Sequence, residues 1–254
     1  MAPMKRKKTT RAGRLVRTVI YTVPSRQDPP KVRASRRRAS SLAQARLNVR
    51  TSRDKLELLL AANFGRGDLW VTLTYDDPHL PPDKAAARKI FRGFIGALRK
   101  HRRARGQELR YVYCIQEILD DGSHRLHHHL ILNGVSQEDA EIIRSLWPYG
   151  NTDINPIDDD QAVTAIATYM CHEPIEHGKP KVGEQMWTPC KGLKKPETVT
   201  VDIPDEDVTL QAPPGALTVE NDGQRTEYGE YSYLKYWLPK GQLYRPQIRS
   251  GGRS

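Results

Sequence analysis

The chain has 254 residues, 37% of them hydrophobic and 28% charged, with a net charge of +11. That length supports one sizeable core, read as one main domain with an appendage, and no run approaches the roughly 18 apolar residues of a membrane span. With no apolar leader of signal-peptide type, the sequence predicts a cytoplasmic protein with no membrane partner. Cys114, Cys171 and Cys190 are far apart, without a C-x-x-C pair. This argues against a disulfide framework and a structural zinc knot, and predicts free thiols. No G-x-x-x-x-G-K-[ST] loop is present, which argues against an attached nucleotide-driven motor.

The charge is unevenly placed. Residues 1–50 hold 15 Lys/Arg against the single acid Asp28, while the rest holds 26 Lys/Arg against 29 Asp/Glu. Residues 1–40 mix these cations with Pro24, Pro29 and Pro30 without a sustained period, so they are expected to form a basic, largely disordered arm. Such a block suits a polyanion. A solvated leader or an Arg- and Ser-rich transit segment is the alternative.

The fold is expected to begin at Ser41. Apolar residues at helical spacing predict a helix to about Ala62, with a polar stretch at 50–54 that could divide it. Leu69-Trp-Val-Thr-Leu-Thr-Tyr75 alternates Leu69, Val71, Leu73 and Tyr75 against Trp70, Thr72 and Thr74, the pattern of a strand with one apolar and one hydroxyl-bearing face. After a Pro-rich turn, Asp83 can cap a helix to about Lys100 that buries Ile90, Phe91, Phe94, Ile95 and Leu98. Its other face is almost uniformly basic. Arg99, Lys100, Arg102 and Arg103 on this segment, Lys191, Lys194 and Lys195 in a later loop, and the hydroxyls of Thr72 and Thr74 are the set expected to contact a polyanion.

Residues 111–117 read as a second strand, turning through 120–123 into a third, Arg125-Leu-His-His-His-Leu-Ile-Leu-Asn133. A strand sends alternate side chains to one face, so His127 and His129 share a side while His128 points away. Two imidazoles on one face begin a divalent-metal site. With a three-residue turn Glu117 would face His127 across the hairpin; a slip of one residue would substitute Gln116. A helix from about Ser136 to Trp147, a short strand at 151–157 and a helix after Asp158 follow. On that last helix Tyr169 and His172 are three apart and therefore neighbours. Beyond Pro174 the pattern weakens, and the acidic tail is expected to add short strands to the main sheet, ending near 231–237. The order of elements predicts an α+β fold, a central antiparallel sheet flanked by helices.

These residues resemble the HUH endonucleases, specifically rolling-circle replication initiators of phage and plasmid type related to the filamentous-phage gene II group. Residues 69–75 resemble their first motif, 125–132 their His-hydrophobic-His motif with His128 in the usually apolar position, and Ala167-Thr-Tyr169-Met-Cys-His172-Glu-Pro174 their Tyr-x-x-Lys motif. Softer matches are Asn63-Phe64 with Gly67-Asp68, Glu117, and Trp187 with 192–196. The resemblance implies an RRM-like βαββαβ core, a nuclease domain over 41–196 and a C-terminal extension, 197–254, packing on it. It implies a metal-dependent, site-specific nick in single-stranded DNA at an origin or hairpin. Tyr169 would be the nucleophile, with His172 beside it in place of the usual Lys, and His127, His129 and Glu117 would hold Mg2+ or Mn2+. A host helicase and polymerase are the implied partners, in the cytoplasm of a bacterial host. The rivals are a transposase or relaxase of the same chemistry, and a non-catalytic single-stranded nucleic-acid-binding module.

Overall fold

The computed structural model describes residues 4–23, 41–118, 124–171, 185–204, 209–226 and 229–241. The chain divides into two compact units, one of Arg36–Lys194 and one formed by Met1–Ser35 together with Lys195–Ser254. Each contains a five-stranded antiparallel sheet, which makes the protein α+β as expected.

In the first unit, helix α1 (Ser41–Asn63) runs unbroken through the polar stretch at 50–54. Strand β3 (Leu69–Thr74) leads through a short 3-10 turn, Asp77–His79, into α2 (Lys84–Ala104). Asp83 caps α2 by accepting a hydrogen bond from the Ala86 amide at 2.7 Å, satisfying one of the donors a helix start leaves open. Then come β4 (Tyr111–Ile118), β5 (His124–Leu132), α3 (Asp139–Leu146), β6 (Thr152–Pro156), α4 (Ala162–Met170) and the two-residue β7 (Thr188–Pro189). The strands lie in the order β6-β3-β5-β4-β7. The histidine strand is therefore central, paired on both sides, and its alternation decides what each layer receives.

On one side Val71, Leu73, Leu130, Leu132 and Tyr113 meet Phe91, Phe94, Ile95 and Leu98 of α2, with Ile143 of α3 and Trp147. These side chains are almost wholly buried, each contributing on the order of 1.5–3 kcal/mol relative to exposure. On the other side α4 lies over the His127/His129 face, and α1 packs against α4. A polar network pins the edge of the apolar layer. Arg102 is 1% exposed, pairs with Asp139 Oδ1 at 3.1 Å and donates to the Asn133 carbonyl at 3.0 Å.

The second unit departs from the sequence expectation. Residues 4–23, expected to be part of a disordered arm, form a hairpin of β1 (Met4–Ala12) and β2 (Leu15–Val23). Gly13 takes the left-handed φ of 57° that a two-residue hairpin turn requires, at low steric cost for glycine. The tail strands β8 (Glu197–Pro204), β9 (Leu217–Thr226) and β10 (Gly229–Trp237) join this hairpin in the order β8-β1-β2-β10-β9, and not the central sheet. The reason is edge supply: β1 and β2 each offer a full row of backbone donors and acceptors, which β8 and β10 complete. Leu210, Ala212 and Ala216 cover Val16, Leu234, Tyr236 and Leu238 on one face.

Candidate metal and tyrosine site

His127 and His129 occupy one face of β5, both nearly buried, with ring centroids 4.8 Å apart. Their partners across β3 are Thr74 and Thr72, and across β4 they are Gln116 and Cys114. His127 Nδ1 lies 2.8 Å from the Arg125 carbonyl oxygen. A ring nitrogen facing a carbonyl must donate, so the Nε2 atom carries the lone pair that a metal takes. His129 Nδ1 is 3.0 Å from Thr72 Oγ1, a hydrogen bond that sets the orientation of the ring.

The register corrects one expectation. Ile118, rather than Asp120, pairs with His124, and a bulge lies between Gln116 and Ile118. A bulge adds a residue to one strand and shifts which side chain meets the partner. Gln116 therefore opposes His127, the substitution that a one-residue slip would make, while Glu117 is exposed at the bulge, 4.0 Å from His124 Nδ1. Gln116 Nε2 donates to the Tyr169 carbonyl at 3.1 Å. That bond identifies the nitrogen of the amide. Its Oε1 is buried and has no hydrogen-bond partner among the described residues, at a cost of about 1–3 kcal/mol. A buried acceptor beside two imidazoles suits a hard divalent cation, so this trio fits a metal. Among the described residues no group of three or more His, Cys, Asp or Glu does so.

Tyr169, one residue before the end of α4, brings its ring edge-on to His129 at 4.9 Å. Trp70 closes the cluster, stacked on His129 at 5.2 Å and 4° and edge-on to Tyr169 at 6.1 Å. Trp70 was not among the expected site residues, and Gln116 entered only as the residue that a one-residue slip would substitute for Glu117. The signal for Trp70 was the alternation of β3, which places it on the face of Thr72 and Thr74. His172, the expected neighbour of Tyr169, lies outside the described residues.

His128 has the opposite environment. It is fully buried, stacks on Phe91 at 5.0 Å, and its Nε2 is 2.7 Å from Tyr75 Oη. Burial, aided by the nearby His127, lowers its pKa to about 3, and burial raises that of Tyr75.

The expected DNA-contacting residues separate. Thr72 is engaged by His129, and Thr74 Oγ1 donates to the Asn151 carbonyl at 3.2 Å. Arg102 is buried in the pair with Asp139, because its position on α2 faces the core; it is a structural residue and not a surface cation. Arg99, Lys100 and Arg103 are exposed on α2, which packs on the sheet layer opposite His127 and His129. Lys191 and Lys194 are exposed in the same unit, and Asn63 holds the Lys194 backbone through its Oδ1 at 2.8 Å and its Nδ2 at 2.9 Å. Lys195 is exposed and belongs to the second unit. Cys114 and Cys171 are buried and Cys190 half-buried, all three as free thiols.

Comparison with known families matches the segment that carries this histidine strand and the tyrosine helix. Residues 68–174, a little under half of the chain, match the family of replication-associated proteins of the ORF2 and gene II protein type. The likeness to gene II-type replication initiators is thereby borne out for this segment, which holds His127, His129, Gln116 and Tyr169. No curated protein and no solved structure matches the chain. Among the described residues no helix is long and apolar enough to cross a membrane.

Proposed function

We propose that the chain is a metal-dependent, site-specific single-stranded DNA endonuclease and strand transferase that initiates rolling-circle replication by nicking through a 5'-phosphotyrosine. One observation carries the reading: the Tyr169 ring lies against His129, on the same sheet face as His127 and the orphaned oxygen of Gln116. The replication-associated family match over this segment supports it. His127, His129 and Gln116 would hold the ion, with Glu117 at the bulge as the alternative donor. A bound Mg2+ or Mn2+ would supply Lewis-acid polarisation of a phosphoryl oxygen.

The chain's own residues account for the rest. The Tyr169 oxygen attacks phosphorus, the bond from phosphorus to the 3'-oxygen breaks, and that oxygen leaves as a 3'-hydroxyl after taking a proton. The phosphodiester bond is exchanged, not hydrolysed, so a later 3'-hydroxyl can reverse the step. A free phenol has a pKa of about 10 and must lose its proton to attack. His172, three residues on, is the residue proposed to handle that proton. Gln116 and Trp70 position the nucleophile, the first through the Tyr169 carbonyl and the second through the ring. The DNA is held at an origin or hairpin by exposed cations such as Lys191 and Lys194, a host helicase and polymerase extend the freed end, and the cytoplasm is the setting.

The test is incubation of the full chain with a single-stranded DNA library and Mn2+, read as a protein–DNA adduct on denaturing gels. An adduct with the native chain that disappears in Tyr169→Phe is expected. No adduct, or one that survives this substitution, would sink the proposal.

A further inference from the structure

A cleft of about 420 Å3 opens where β3 ends, β5 begins and the chain enters β6; His127 forms part of its wall, together with Thr74, Asp76, Asp77, Arg125 and Asn151. The guanidinium in that wall is already committed. Arg125 Nε and Nη2 donate to the Tyr75 carbonyl at 3.1 and 2.6 Å, and Nη1 meets Asp77 Oδ1 at 2.8 Å. Asp76 Oδ1 accepts from the His79 amide at 3.1 Å and lies 2.6 Å from His79 Nδ1. Asn151 is anchored by its backbone, its carbonyl accepting from the Thr74 amide at 2.9 Å and from Thr74 Oγ1 at 3.2 Å, while the residue is exposed.

The wall is thus rich in acceptors. Away from His127, two carboxylates face one committed cation, which disfavours a phosphate against that part of the wall and leaves the phosphate to the His127 end. The volume is at the lower end of the roughly 300–1,000 Å3 typical of small-ligand sites, suited to a single nucleoside. Carboxylates accept hydrogen bonds from the exocyclic amino groups of bases, and an asparagine amide can pair with a base edge. Single strands are read through unstacked bases of this kind.

We infer that the cleft is a base-reading subsite, taking an unstacked base with an exocyclic amino group next to the scissile phosphate and discriminating against thymine. The amino group donates to Asp76, since Asp77 is already paired with Arg125, and Asn151 pairs with the remaining edge. Thymine would set a carbonyl against the carboxylates. This inference rests on the nicking reading of the adjacent site.

The experiment uses the full chain, Mn2+ and single-stranded oligonucleotides of random sequence, with the DNA in covalent adducts sequenced. At one position flanking the nick, amino-bearing bases should exceed thymine by about tenfold or more. Asn151→Ala and Asp76→Asn, the latter still able to cap the 3-10 turn, should reduce that preference to about twofold at that position. Adduct on oligonucleotides with thymine at that position, which makes neither contact, should stay within about threefold of the native chain and so separates lost base reading from lost folding or nicking. Native adducts without a flanking preference, or a preference that both variants leave intact, would overturn the subsite while the nicking reading stood. Absence of any adduct would overturn the nicking reading itself, and the subsite with it.

Discussion

Three consecutive histidines on β5 enter two different environments. His127 and His129 face a tyrosine, a tryptophan and the buried amide oxygen of Gln116. His128, between them, is packed among Phe91, Tyr75 and Trp147 and held neutral by burial. The residue type is the same; the side of the sheet decides whether an imidazole can serve as a ligand or as core. The two layers also divide the polar groups. The apolar layer commits its buried cation, Arg102, to Asp139, whereas the opposite layer presents acceptors that a bound cation would satisfy.

The sharpest way to break this comparison is to change neighbouring histidines separately. His127→Ala should lower adduct formation by more than the roughly 100-fold that even an outer-shell change at a metal site costs. His128→Leu should leave adduct formation within a few-fold, while leaving the Tyr75 hydroxyl without its partner and destabilising the fold by about 1–3 kcal/mol in urea unfolding. Equal loss of activity in both would mean that the two faces do not divide the work.

Arg102 tests the other layer. Arg102→Ala should cost about 3–5 kcal/mol of stability, because it removes the cation paired with the buried Asp139, leaving that carboxylate only the Val135 and Ser136 amides, and removes the donor to the Asn133 carbonyl. Exposed Arg103→Ala should stay within about 0.5 kcal/mol. Similar effects from the two would return Arg102 to the surface.

The pH dependence of stability reports on His128 directly. Folded protein keeps His128 neutral down to about pH 3, whereas the unfolded chain takes up the proton near the ordinary histidine value of 6.5. Between those values the unfolded state binds more protons, so this group's contribution is complete above about pH 6.5. It is lost as pH falls, at up to about 1.4 kcal/mol per pH unit. Between pH 7 and pH 5 the native chain should lose more unfolding stability than His128→Leu does, and the difference between the two reports on this group. The smallest effect is expected at Trp70, whose two ring contacts are each worth about 0.5–1.5 kcal/mol. Trp70→Leu should slow adduct formation by about three- to tenfold, and an unchanged rate would show that Tyr169 and His129 are oriented without it.

Much of the unit formed by Arg36–Lys194 is legible in the sequence, because its elements carry strong periodic signals. The alternation at 69–75, the Asp83 cap and the apolar stripe of α2 all lie where local rules place them. The missed hairpin carried a weaker version of the same signal. Leu15 to Val23 is rich in β-branched residues and follows Gly13, yet the cations crowded into β1 obscured the pairing. Salt bridges such as Arg6 with Asp202, brought together from opposite ends of the chain, offset that charge locally.

By itself the sequence determined which histidines share a face, since the two-residue period of a strand is a covalent property of the backbone. It likewise determined the order of helices and strands around them, and that Tyr169 would lie near the end of a helix. Only the tertiary structure decided that Gln116, and not Glu117, opposes His127, because a bulge shifts register without a local signature. Only it showed that Arg102 is buried, that the tail strands pair with β1 and β2, and that Trp70 touches both His129 and Tyr169. Each of these depends on which distant segment supplies the partner, and that choice is made by long-range pairing and packing, not by the local chain.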